Sequence, residues 1–139
     1  MWWFMAFVVA LSLLVSAWVE LISRRRLRPL LSRRCSGWHW HCCFPDASTA
    51  DIRRFLTLFA ACFGIPRKHV LAFRPDDQIM DIYDALYPPK WSIGDAMELE
   101  DLACEIEKNY GVRLNDVWHE GLSLGDLFNN VRLGCKERQ

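Results

Sequence analysis

The sequence predicts an all-α protein in which a single N-terminal transmembrane helix is followed by a small four-helix bundle. Three observations carry this reading. Residues 1–19 form an uncharged apolar run. Beyond Ser48, apolar residues recur at helical spacing in four stretches. No segment sustains the period-two alternation of a half-buried strand. The chain of 139 residues divides on this basis into an anchor (1–22), a basic juxtamembrane linker containing Cys, His and Trp (23–47), a helical domain (48–131) and a tail (132–139).

Within residues 1–19 only Ser12 and Ser16 are polar. A helix of that length rises about 28 Å, close to the hydrocarbon thickness of a bilayer. Trp2, Trp3 and Trp18 stand near its two ends, where indole rings favour the membrane interface. A cleaved signal peptide would carry its positive charge ahead of the apolar run and a small-residue cleavage site behind it. Here the charge follows the run, as Arg24, Arg25, Arg26, Arg28, Arg33 and Arg34. The segment is therefore expected to remain as an anchor, with the N-terminus outside and the domain cytoplasmic. Arginines 24–34 would lie against anionic headgroups, each gaining about 1 kcal/mol near the surface.

The formal net charge of zero conceals two opposite halves. Those six arginines precede a stretch, 46–131, with fifteen acids against eight bases. An acidic body of this kind implies a protein partner with a basic surface, and gives nucleic acid nothing to bind. Six cysteines, two of them (Cys62 and Cys104) inside helical patterns, read as reduced thiols rather than a disulfide framework.

Cys35, His39, His41, Cys42 and Cys43 fall within nine residues. Their ligand types suit zinc, but zinc sites join two separated ligand pairs and so close a loop. The expectation is thus no metal and an interfacial linker, with Trp38 and Trp40 resting at the membrane surface. A zinc site, or a redox-active or lipid-modified cysteine, is the alternative.

In the domain, Ile52, Phe55, Leu56, Phe59 and Phe63 form one apolar stripe over 49–63. Ser48 and Asp51 open it as a capping pair, and Gly64 and Pro66 close it. A short helix beginning at Pro75 carries Ile79, Ile82, Tyr83 and Leu86, and ends at Pro88–Pro89. A third, over 94–110, carries Leu99, Leu102, Ala103, Ile106 and Tyr110, with Ser92 and Asp95 at its start and Gly111 beyond its end. A last helix over 124–131 turns Leu124, Leu127, Phe128 and Val131 inward and is capped by Ser123 and Asp126. Residues 114–118 allow one further turn.

Gly64, Ile65 and Pro66, then Asp95-Ala96-Met97-Glu98, Leu102, Ile106, Glu107, Tyr110 and Leu114, and finally Leu122-Ser123-Leu124-Gly125-Asp126-Leu127, stand in a familiar order. In that order and spacing, residues 48–131 resemble an acyl carrier protein. The resemblance implies an acyl-carrier-like four-helix bundle whose acidic second helix is read by basic partner enzymes. It also implies a serine directly after the Asp, carrying 4′-phosphopantetheine. Here that place is Ala96, which has no hydroxyl, so no cofactor is expected. Ser92, one turn earlier, is the nearest substitute and is better explained as an N-cap. The loop 76–91 is also longer than the resemblance implies.

Glu98, Asp101 and Glu105, at i, i+3 and i+7, share one face, with Asp95 at the helix start where negative charge suits the dipole. These four acids are the expected partner-binding residues. The expected function is a membrane-anchored carrier-like docking module without a prosthetic group, engaging a partner such as an enzyme of lipid or acyl metabolism. The alternatives are a working carrier modified at a non-standard residue, and a small subunit of a membrane complex unrelated to acyl transfer. No catalytic residues are expected: His119-Glu120 is the only imidazole–carboxylate neighbour in the domain, and adjacent helical residues point apart.

Overall fold

The computed structural model describes residues 2–87 and 97–137, the side chains of Val19, Ser23, Arg24, Lys136 and Glu137 excepted. The described residues are helical, with no strand and one isolated antiparallel bridge, Gln78 to Ser123. In chain order the α-helices are α1 (Trp2–Leu31), α2 (Gly37–Cys43), α3 (Thr49–Cys62), α4 (Ile79–Leu86), α5 (Met97–Tyr110), α6 (Leu114–Val117) and α7 (Leu124–Glu137). A 3-10 helix, Arg67–Ala72, lies between α3 and α4.

α1 is long and apolar enough to cross a membrane, and none of its apolar window is buried in the protein. It does not stop where the arginines begin. The helix continues unbroken through them and through Pro29 to Leu31. Leu27, Leu30 and Leu31 (i, i+3, i+4) make a short apolar stripe among the basic residues. Leu27 is only 6% exposed, and Leu30 and Leu31 pack against the bundle core. Arg33 Nη1 then donates to Asp77 Oδ1 at 2.7 Å, and the Ser36 N–H donates to the Leu71 carbonyl at 2.7 Å.

The stretch expected as a linker therefore contributes side chains to the bundle, Leu30, Leu31, Trp40, Phe44 and Ala47 among them. Trp38 is 73% exposed. Trp40 departs from the expectation. It is fully buried, its rings meet Phe44, Phe55 and Phe128 at centroid distances of 6.0, 6.3 and 5.6 Å, and its Nε1–H donates to the Phe73 carbonyl at 2.9 Å. Two of three residues of one Trp-His-Trp unit thus have opposite environments, set by a carbonyl 33 residues away.

α3 follows its stripe: Ile52, Phe55, Leu56, Phe59 and Phe63 are all buried. Its start is capped as the sequence implies, with the Asp51 N–H donating to Ser48 Oγ at 3.1 Å and Ser48 Oγ–H donating to Asp51 Oδ2 at 2.6 Å. Gly64 and Gly111 close α3 and α5 with φ of 63° and 65°, the left-handed geometry of helix C-caps.

α4 begins at Ile79 rather than Pro75, because residues 74–78 bond elsewhere. The Pro75 and Asp77 carbonyls accept from the Gly125 and Leu124 N–H groups at 2.7 and 2.9 Å, and the Ile79 N–H donates to the Leu122 carbonyl at 3.0 Å. The start of α7 is therefore sewn to the entry of α4. α7 also runs six residues past Val131, into the expected tail, with Arg132 over the Phe128 ring at 5.8 Å. One core joins α3, α4, α5 and α7 with Trp40, Val70 and Phe73. Pro88, Pro89, Ser92, Gly94, Asp95 and Ala96 lie outside the described residues.

The acidic flank of helix α5

α5 turns Leu102 and Ile106 fully into the core, with Leu99, Ala103 and Tyr110 packed beside them. At 100° per residue, Glu98, Asp101 and Glu105 fall together on one flank of that apolar stripe. This flank borders an open groove of about 600 Å³ between α3 and α5. Arg54, Leu58 and Cys62 form its α3 wall, and Asp101, Cys104 and Glu105 its α5 wall.

The three acids differ in how they are held. Asp101 is exposed. Glu105 is half-buried: its Oε2 accepts from Asn109 Nδ2 at 2.9 Å, and Lys108 Nζ stands 3.5 Å from Oε1. Glu98 lies close enough to the Tyr87 hydroxyl to interact with it, the start of α5 meeting the end of α4. Burial first, then this interaction and the charge of Glu98, push the Tyr87 phenol up to about 12. Glu100 and Glu107 are exposed on the opposite flank, Glu107 3.7 Å from Arg113 Nε. Asp95, the fourth expected acid, lies outside the described residues, as do Ala96 and Ser92.

What the spacing did not reveal is the thiol beneath the acids. Burial, and then the charges of Glu105 and Asp101, push the Cys62 thiol up to about 11. Since the thiolate is the reactive form, this shift disfavours reaction of Cys62 at neutral pH. Iodoacetamide should therefore modify the exposed Cys42, Cys43 and Cys104 well before Cys62, as read by peptide mass mapping. Asp101→Asn combined with Glu105→Gln should speed Cys62 modification, because two of the charges opposing the thiolate are removed. Reaction of Cys62 in step with Cys104 in the native chain would contradict the arrangement.

The Cys/His stretch is spread rather than gathered. Cys35, His39, Cys42 and Cys43 are exposed, and His41 Nε2 pairs with Thr49 Oγ1 at 3.1 Å. Among the described residues no three His, Cys, Asp or Glu side chains are grouped as they would be around a metal ion, and the cysteines are free thiols. His119 and Glu120 both lie exposed on the surface.

Compared with protein-family models, with curated proteins and with solved structures, the chain matches none.

Proposed function

We propose that this chain is a membrane-tethered docking module of acyl-carrier type that works without a prosthetic group. α1 serves as the anchor, with the N-terminus outside and the bundle at the cytoplasmic face, since the arginines follow the apolar run. The bundle presents the acidic flank of α5 to a partner with a basic surface, an enzyme of lipid or acyl metabolism being the class the resemblance suggests.

The observation that carries this reading is the placing of Asp101 and Glu105 together beside the open α3/α5 groove. Complementary charge at such a surface contributes steering and register more than raw affinity. After Ser48 the order is a long first helix, a 3-10 helix, the additional helix α4, an acidic helix, a single turn and a last helix; apart from α4, this order supports the carrier analogy at the level of fold alone.

Ala96 sets the test. A phosphopantetheinyl transferase forms a phosphodiester at a hydroxyl, and alanine offers a methyl group. Intact-mass measurement after co-expression with a broad-specificity transferase should show the unmodified chain. Ala96→Ser should gain the mass of one phosphopantetheine arm. An arm on the native chain would overturn the proposal, and Ser92→Ala would then show whether Ser92 carries it.

A further inference from the structure

The Arg33–Asp77 ion pair joins the residues just past α1 to those just before α4. From that joint the two helices pack side by side, Leu30 and Leu31 packing against the core that holds Ile79 and Ile82 and Leu27 buried one turn earlier. Two helices that share one end and lie alongside each other are antiparallel across it. α4 thus runs back toward the apolar end of α1. From Asp77 to Tyr87 the chain covers about 15 Å at helical rise, which brings Tyr87 level with residue 23 of α1. The exposed apolar side chains of α1 extend to Leu21, so Tyr87 stands only about 3 Å beyond their edge.

The Tyr87 phenol and the Glu98 carboxyl interact, which brings the start of α5 to the same level. There Met97 is an apolar side chain 59% exposed. The half-buried Tyr83 and Tyr87 rings meet at a tilt, 5.2 Å between centroids, and Arg25, Arg26 and Arg28 are exposed on α1. The headgroup layer on each side of a bilayer is roughly 5–8 Å thick, deep enough to contain this end of the bundle. Phenol rings are suited to that layer, and guanidinium groups to its phosphates.

We propose that the end of the bundle formed by Tyr83, Tyr87 and Met97 is a lipid-contact surface seated among anionic headgroups, with Arg25, Arg26 and Arg28 supplying the countercharge. This rests on α1 spanning the membrane. The opposite end, at residues 119–125, stands about 15 Å further from the bilayer. α5 begins at the headgroups, so a partner of its acidic flank has to present its basic surface at the membrane.

The test uses the full chain in nanodiscs of phosphatidylcholine and phosphatidylglycerol, with photoreactive benzoylphenylalanine in place of Val9, Met97 or Glu120. Val9 and Met97 should both yield lipid adducts on illumination, several-fold above Glu120, and the Met97 adducts should be enriched in phosphatidylglycerol over its share of the bilayer. Met97 yields no higher than those of Glu120, adducts to a second copy of the chain in place of lipid, or adducts that merely follow bilayer composition would each overturn the proposal. Loss of adducts at Val9 as well would show that the membrane reading of α1 itself fails.

Discussion

Trp40→Ala should remove most of the stability of the bundle. Truncating a buried aromatic side chain costs about 3–5 kcal/mol, and the whole stability of a small domain is about 5–15 kcal/mol. Trp40 is fully buried against Phe55 and Phe128, and its indole N–H satisfies the Phe73 carbonyl. The variant therefore creates a cavity and strands a buried acceptor, which adds about 1–3 kcal/mol. Trp38→Ala, two residues away on the exposed side, should change stability by less than about 0.5 kcal/mol. Trp40→Phe should fall between them, keeping much of the ring and losing the hydrogen bond. Denaturant unfolding of the full chain in micelles, followed by near-ultraviolet circular dichroism, reads all three. Equal and small effects at the two tryptophans would mean that 37–43 is a surface linker after all.

That contrast also locates the limit of the sequence. α3, α5 and α7 were legible because each repeats apolar residues over two or more turns and opens or closes with a recognisable cap. Ser48 with Asp51 and Ser123 with Asp126 bond as their spacing implies. α2 has seven residues, too few for a period, and nothing local distinguishes Trp38 from Trp40, which alone reaches the Phe73 carbonyl. The leucines that dock α1 were hidden for another reason. Surrounded by arginines, Leu27, Leu30 and Leu31 read as a basic strip, whereas long basic side chains readily leave the apolar positions between them free to pack.

The candidate site was legible to a similar depth. The i, i+3, i+7 spacing placed Glu98, Asp101 and Glu105 on one flank of α5. It could not show that Tyr87 engages Glu98, that Asn109 holds Glu105, or that Cys62 lies across the groove from them. Those partners come from other turns and other helices, and only the fold brings them together. The docking of α1 changes the functional argument as well. A bundle hung on a loose linker could turn its acidic helix in any direction. One clamped through Leu27, Arg33 and Ser36 holds its acidic helix in a fixed direction relative to α1.

Gly125→Ala should destabilise the bundle even though the substitution lies inside a helix, where alanine ordinarily gains about 1 kcal/mol over glycine. The Pro75 carbonyl comes directly onto the first turn of α7, and a Cβ at Gly125 would sit 2.9 Å from that oxygen and 3.0 Å from Pro75 Cβ. The nearest atom belongs to backbone, which cannot swing aside as a flexible side chain would. Room is made only by moving residues 74–78 away. That movement stretches the Gly125 N–H bond to Pro75 and the Leu124 N–H bond to Asp77, and it draws Asp77 from Arg33 and from the Arg74 N–H. Overpacking costs about 1–3 kcal/mol, and each weakened hydrogen bond adds about 1 kcal/mol, which outweighs the helical gain. Gly125→Val should be worse, because its branches extend the same collision. Gly121→Ala is the control, since the nearest atom to its Cβ is 4.0 Å away, and it should stay near neutral. Thermal unfolding of the three variants in micelles decides the matter. A stabilising Gly125→Ala would show that residues 74–78 are not held against α7, and would take with it the antiparallel placing of α4 on which the lipid-contact surface depends.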